Sequence, residues 1–351
     1  MNRDAEQPGA APIRVLVADD SPAYRGMLRV MLEADGDIVV AGEAGDGQEA
    51  VKLAAALGPA VITMDLEMPG MDGVEATRRI AATSRCPILI VTSPLVKQRS
   101  TLPFRAIEAG ALEVFLKPLR ITGEAGSDAA DNLRARVRAL AGRPPAPRRA
   151  AGARGTPTRG RSPARVAVLA ASTGGPVALQ RLFAALGAPQ PGCIVVVQHI
   201  GAEFQEGLVQ WWSEACAMPV RLASAGDRLL PGTVLVAPSE RHLIFGLSET
   251  VLLEDGPRVH GCKPAADVTM ESAAALFGAT CAGAVLTGMG ADGARGLLAI
   301  RDRGGWTAAQ DEASCAVYGM PREAARLGAA EVILPIDELA RCLAKAMGAS
   351  Q

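Results

Sequence analysis

Ser172 stands in Ala170-Ala171-Ser172-Thr173-Gly174-Gly175-Pro176, between a β-rich apolar run and a stretch with helical spacing. A strand-to-helix turn exposes a hydroxyl at the top of a sheet, and the backbone N–H groups of such a turn can face an oxyanion. The pattern is that of a nucleophile elbow with Ala170 in the first glycine place; alone, it serves equally well as a helix cap. The chain has 3 His. His199 closes the run VVVQHI and lies beside Ser172 if the two strands are neighbours, where a neutral imidazole could take the serine proton. Asp292, in LTGMGADGARG, could orient that imidazole and stabilise the imidazolium. Gly288, Gly290 and Gly293 allow close backbone approach, and the Met289 N–H could join an oxyanion pocket. His242, at the start of a hairpin, reads as structural, and His260 as a solvated loop residue. The chain order Ser, His, Asp differs from that of the α/β-hydrolases, so their fold cannot be borrowed. No GxGxxG is present, which disfavours a dinucleotide site.

A second constellation is acidic. Asp19-Asp20, Asp65, Thr92 and Lys117 each follow or end a β-rich run. A parallel sheet carries such positions to one edge. Carboxylates gathered there repel unless a cation lies among them, and oxygen donors of this kind suit Mg²⁺. A carboxylate can also attack phosphorus and form an aspartyl-phosphate. Asp65, the single acid after the middle strand, is the candidate, with the Thr92 hydroxyl and the Lys117 ammonium to meet phosphoryl oxygens. A cis bond before Pro118 would aim Lys117 inward.

The elements that must position these residues alternate. Strands are expected at Ile13–Ala18, Ile38–Gly42, Ala60–Met64, Pro87–Val91 and Glu113–Leu116, and helices at Pro22–Ala34, Gly47–Leu57, Gly73–Ala82, Arg105–Ala109 and Ser127–Ala141. Ser21 is the expected N-cap before Pro22. A second series follows: strands Val166–Ala171, Cys193–Val197, Val234–Pro238, Ala284–Thr287, Trp306–Ala309 and Glu331–Leu334, a helix Pro176–Leu186, and a hairpin of His242–Leu247 with Thr250–Glu254. The fold class is α/β, two doubly wound parallel-sheet domains. Between them, residues 142–164 hold six Arg and no acid among Pro, Ala and Gly, the composition of a flexible linker.

Composition bounds the function. At about 150 residues per domain, 351 residues suggest two domains. Hydrophobic residues at 49 % suffice for two cores, and aromatics at 3 % argue against a base-stacking or sugar-stacking binder. A net charge of −1 excludes a chain-wide polyanion surface. The seven Cys form no CxxC, which speaks against a disulfide framework or zinc site and for a reducing cytoplasm. The opening MNRDAEQPGA lacks a signal-peptide core, and no apolar run is long enough to span a membrane.

The segments VLVADDSPAYRGML, VITMDLEMPGMDGVEA, ILIVTS and FLKP resemble the receiver domain of response regulators over residues 12–140. The resemblance implies a flavodoxin-like sheet and phosphorylation of Asp65 by a histidine kinase. It also implies Mg²⁺ held by Asp19, Asp20, Asp65 and the backbone carbonyl of Glu67, with Thr92 and Lys117 as switch residues. The aromatic that the family places three positions before the lysine is Val114 here, followed by Phe115. The segments AASTGGP, VVVQHI, VLVAPSERHL and LTGMGADGARGL resemble the catalytic domain of chemotaxis protein-glutamate methylesterases. That resemblance implies a receiver domain at 12–141, a linker at 142–164 and a catalytic domain at 165–348. It implies hydrolysis of glutamyl γ-methyl esters on chemoreceptors, and glutamine deamidation. Ser172 becomes the nucleophile, His199 the general base and acid, Asp292 the orienting acid, and Thr173 and Met289 line the site. Ala170 replaces the glycine usual before Ala-Ser, and the loop read as Arg-Pro-Ser-x-Asp is Cys262-Lys263-Pro264-Ala265-Ala266-Asp267, with Ala for Ser.

The expected protein is therefore a cytoplasmic monomer with chemoreceptors as substrate and a histidine kinase as phosphodonor. It needs Mg²⁺ in the receiver and no cofactor for the esterase, and neither binds nucleic acid nor inserts into a membrane. Unphosphorylated, the receiver is expected to cover the cleft. The alternatives are a phospho-gated hydrolase of another acyl or amide substrate, a non-catalytic binding module, and a DNA-binding regulator. The last is disfavoured by a net charge of −4 over residues 165–351.

Overall fold

The computed structural model describes residues 11–93, 101–117, 124–142 and 161–349. They fall into two compact units. Pro118 and residues 143–160 lie outside the described residues, and with them the expected cis bond and most of the expected linker. The last linker residues pack on the second unit: Ala164 is buried and donates its N–H to Ala346 O at 2.8 Å, and Arg161 pairs with Glu331.

The first unit is a five-stranded parallel sheet of β1 (Ile13–Ala18), β2 (Ile38–Ala44), β3 (Val61–Met64), β4 (Ile88–Thr92) and β5 (Glu113–Leu116), in the order β2-β1-β3-β4-β5. The central strands β3 and β4 are buried along their whole length, because helices cover both faces, so they read as unbroken apolar runs. Helix α1 (Pro22–Glu33) starts where Ser21 accepts the Tyr24 N–H and Pro22 needs no partner, as expected. Helix α2 (Gly47–Leu57) is capped by Asp46, and α3 (Gly73–Thr83) by Asp72. Helices α4 (Leu102–Glu108) and α5 (Glu124–Ala141) begin earlier than the sequence suggests.

The second unit is a seven-stranded parallel sheet. Its strands are β6 (Val166–Ala171), β7 (Cys193–Gln198), β8 (Val220–Leu222), β9 (Val234–Val236), β12 (Cys281–Val285), β13 (Trp306–Gln310) and β14 (Val332–Leu334). The order is β14-β13-β12-β6-β7-β9-β8. A separate hairpin pairs β10 (His242–Gly246) with β11 (Thr250–Glu254), as expected. The strand expected at Ala284–Thr287 begins earlier, at Cys281, and ends at Val285, while Leu286 and Thr287 go on hydrogen-bonding along β6, the Leu286 N–H to Ala170 O at 2.8 Å and the Ser172 N–H to Thr287 O at 3.0 Å. Helices α6 (Gly175–Leu186), α7 (Gln205–Ala215), α8 (Ala266–Phe277), α9 (Ala294–Asp302), α10 (Met320–Arg326) and α11 (Ile336–Ala346) cover the sheet. Trp212 on α7 is fully buried and meets Phe183 edge to face at 5.6 Å.

In both sheets the winding direction reverses once: between β1 and β3, and between β6 and β12. The crevice beyond the carboxyl ends of strands at such a reversal is where open α/β sheets bind ligands. In the first unit the crevice is shaped by a close approach. A Cβ on Gly73 would lie 1.8 Å from the Asp65 carbonyl oxygen, so α3 starts hard against the end of β3. Gly73→Ala is expected to lower the stability of the first unit by roughly 1–3 kcal/mol, read as an earlier denaturant midpoint.

Candidate active site and phosphorylation site

The Ser172 site is built at the second reversal. β6 pairs with β7 in a register that sets Ala171 beside Gln198, so Ser172 and His199 leave adjacent strands together. The His199 N–H donates to Ala171 O at 3.0 Å, and the Ser172 N–H to Thr287 O at 3.0 Å, which ties the three strand ends. The buried Gln198 amide donates to both the Ser172 and His199 carbonyls, at 2.9 and 3.0 Å. Gly174 takes a positive φ of 76° as the chain turns into α6. Gly288 stands against the serine: a Cβ there would lie 2.7 Å from Ser172 Cβ. Thr173 is buried and its carbonyl accepts the Thr287 hydroxyl at 2.9 Å, while Met289 is exposed at the rim.

Asp292 reaches His199. Its Oδ2 lies 2.8 Å from His199 Nε2 and accepts the Ala266 N–H at 2.7 Å. Its Oδ1 accepts the N–H groups of Asp267 and Gly293, at 2.9 and 3.0 Å. Ala266 and Asp267 open α8, so the carboxylate sits on the positive end of a helix. Burial opposes its charge, but His199 and the two amides outweigh that and hold its carboxyl below the usual carboxylate range. Burial likewise opposes an imidazolium at His199. Hydrogen bonds to Asp292 and Cys262 outweigh it and raise the imidazole to about 9. The other ring nitrogen, Nδ1, lies 3.6 Å from Cys262 Sγ. Among the described residues no hydrogen bond joins Ser172 Oγ to the ring. The structure thus brings Ser172, His199 and Asp292 together, and adds Cys262, Gln198 and the start of α8.

His242 is structural, between Pro257 O at 2.9 Å and the Ala265 N–H at 3.2 Å. His260 is not simply solvated: its Nε2 lies 3.1 Å from Asp267 Oδ2. The buried Asp267 carboxylate also accepts Arg295 Nε at 3.1 Å and the Gly296 N–H at 2.8 Å.

At the first reversal, Asp19, Asp20 and Asp65 each place a carboxylate oxygen within 4.8 Å of the others. Lys117 Nζ lies 2.6 Å from both Asp65 Oδ2 and Asp19 Oδ2. Burial raises Asp65 above the usual carboxylate range, with Lys117 acting against it. Thr92 Oγ1 is buried without a partner, and Glu67 is exposed two residues past Asp65. Such an all-oxygen donor set fits Mg²⁺, and an orphaned hydroxyl fits a phosphoryl oxygen. Sequence reading missed Tyr24, whose ring lies 4.6 Å from Lys117 Nζ and whose phenol is pushed up to about 12, first by burial and then by Asp19 and Asp65. Phe115 does not replace the aromatic absent at Val114. It carries the Arg136 guanidinium at 5.2 Å, which turns it toward α5, and Val114 faces the other way.

Fold and sites define a class: a response-regulator receiver domain followed by an α/β domain with Ser, His and Asp at its reversal point. Comparison narrows it. The sequence model of the family described as CheB methylesterase matches residues 167–343, and that of the response regulator receiver domain residues 15–123. A protein-glutamate methylesterase/protein-glutamine glutaminase of Symbiobacterium thermophilum is 39 % identical over 354 residues, covering 96 % of this chain and 98 % of that protein. One from Anaeromyxobacter dehalogenans is 43 % identical over 342 residues, covering 95 % and 97 %. The catalytic domain of Thermotoga maritima CheB methylesterase superposes with a TM-score of 0.50 at 30 % identity, covering 52 % of this chain and 99 % of that domain. The chain belongs to the CheB methylesterase family.

Titration of the His199 ring by NMR is expected to give a pKa well above the free-imidazole value. Asp292→Asn should lower it by roughly 1–3 units, since the ring then keeps its burial and loses the charge that offsets it.

Proposed function

We propose that this chain is a phosphorylation-regulated protein-glutamate methylesterase, and a protein-glutamine glutaminase, acting on chemoreceptors. The observation that carries the reading is the Nε2–Asp292 bond at 2.8 Å beside Ser172, in a chain nearly coextensive with methylesterase relatives. With Nε2 committed to Asp292, Nδ1 is the base. Ser172 Oγ attacks the ester carbonyl as Nδ1 takes its proton. The N–H of Met289 and those of the turn after Ser172 face the oxyanion, with Thr173 and Met289 lining the pocket. The imidazolium then protonates departing methanol, and water, deprotonated by the same nitrogen, frees the glutamate. Asp292 stays ionised throughout and keeps the ring in the required tautomer.

In the receiver, Asp65 is the phosphoryl acceptor and a histidine kinase the donor. Asp19, Asp20, Asp65 and the Glu67 carbonyl would hold Mg²⁺, which when bound neutralises carboxylate and phosphoryl charge. Lys117 pairs with the phosphoryl group and Thr92 Oγ1 gains the acceptor it lacks. We read the unphosphorylated receiver as an inhibitor of the esterase. A cytoplasmic location agrees with seven free cysteines, and no described helix is long and apolar enough to cross a membrane. The monomeric state, too, is part of this reading.

Methanol release from methylated chemoreceptor membranes tests it. Ser172→Ala is expected to lower the rate by orders of magnitude. A small acyl-phosphate donor with Mg²⁺ should stimulate the wild-type protein and leave Asp65→Asn unstimulated. Release that survives Ser172→Ala would remove the serine mechanism. Equal stimulation of Asp65→Asn would remove the phosphorylation switch.

A further inference from the structure

Ser172 and Cys262 compete for one nitrogen. Nδ1 is the only ring nitrogen of His199 left to take the serine proton, and the structure gives it to sulfur, at 3.6 Å. The thiol is presented by a built turn. Val259 and Cys262 exchange both backbone hydrogen bonds, N–H to O at 3.1 and 2.9 Å. The two residues between them, His260 and Gly261, have φ of 52° and 75°, the signs of a type I′ turn. A left-handed histidine is costly. His260 is held in it by its bond to Asp267, the residue whose N–H also supports Asp292. One segment, exposed at His260 and buried from Pro264 to Asp267, therefore fixes both partners of the catalytic ring, the carboxylate on one edge and the thiol on the other.

Two side chains meet the His199 ring, Asp292 on Nε2 and the Cys262 thiol on Nδ1, and the thiol also lies 3.6 Å from His260 O. Asp292 is committed to four donors. Asp267 pairs with Arg295 and meets the titratable His260 ring at 3.1 Å, and Lys263 pairs with Asp255 at 2.8 Å. Five other thiols, Cys86, Cys193, Cys216, Cys281 and Cys342, are pushed up by burial, and none of these has a basic nitrogen within hydrogen-bond reach in the structure.

We propose that Cys262 is a positioning residue for the esterase: its thiol transfers its proton to His199 Nδ1 and holds the ring as an imidazolium facing a thiolate, a resting form in which Ser172 has no base. The proton only moves from sulfur to nitrogen, so the resting form carries the same number of protons as the active form in which the thiol has taken it back. Activity then needs either the return of that proton to sulfur or its loss to solvent, and the thiolate, once formed, makes the loss harder. The inference rests on His199 being the base of the methylesterase reaction.

The full-length protein is compared with Cys262→Ser and Cys262→Ala, neither of which can ionise at that position. Two readouts are taken. The first is the NMR titration of the His199 ring, which needs no substrate. The second is the pH profile of kcat/KM for methanol release. Both variants are expected to lower the ring pKa, and to move the acid limb of the profile down by roughly one unit. That gain approaches tenfold in rate on the limb and vanishes at high pH. A merely structural role would lower the rate by the same factor at every pH. Ring titrations and limbs that coincide with wild type in both variants overturn the proposal. A lowered ring pKa in protein that releases no methanol upholds the thiol–imidazole pair and removes the function on which it was hung.

Discussion

An ionised carboxylate taken out of water must find donors, and Asp292 finds four: the N–H groups of Ala266, Asp267 and Gly293, and the ring of His199. Those donors come from β7's end, the start of α8 and the turn into α9, so the satisfaction of one side chain brings three remote segments together. Removing the carboxylate would leave two α8 amides unpaired and the His199 ring without its anchor. Ser172 needs no comparable anchor of its own, because backbone bonds to Thr287 and Gly175 and the Gln198 amide already hold its main chain. The site is therefore a rigid backbone around a serine, with a histidine aimed by a buried charge.

The receiver solves the same electrostatic problem incompletely. Three carboxylates lie within a few ångströms, Lys117 pairs with two of them, and burial raises Asp65 instead of lowering it. Thr92 keeps a buried hydroxyl unpaired. Unsatisfied groups of this kind cost stability, and they mark the places where a cation and a phosphoryl group can gain it back. In the second unit the Asp292 carboxylate is fully hydrogen-bonded, although the buried Gln198 Oε1 of the same site is not; in the first unit the Thr92 hydroxyl is the group left without a partner.

Both pockets lie at sheet reversals for one reason. Helices that leave the two central strands in opposite directions open a crevice there, with strand ends and helix starts pointing into it. The positions next in line on each strand are forced into proximity by register alone, as Ala171 beside Gln198 sets Ser172 beside His199. Chemistry needs no special loop under those conditions, only the right residue type one step past the strand.

The sequence by itself determined a good deal. Unbroken β-rich apolar runs such as VAVLAA and CIVVVQ read as strands buried on both faces, and the ends of such runs named Asp65, Thr92, Ser172 and His199. Local chemistry likewise marked Ser21 before Pro22 as a cap. Periodicity is written into helices too: Ile336, Leu339, Ala340 and Leu343 recur at helical spacing in α11, and Leu208, Trp211 and Trp212 in α7. Tertiary structure alone decided what meets what. That Asp292 rests on α8, that Cys262 takes the open nitrogen of His199, and that His260 bonds Asp267 rather than water depend on segments distant in sequence. Hydrogen bonds between such segments leave no local pattern, because each partner is chosen by a fold that neither encodes alone.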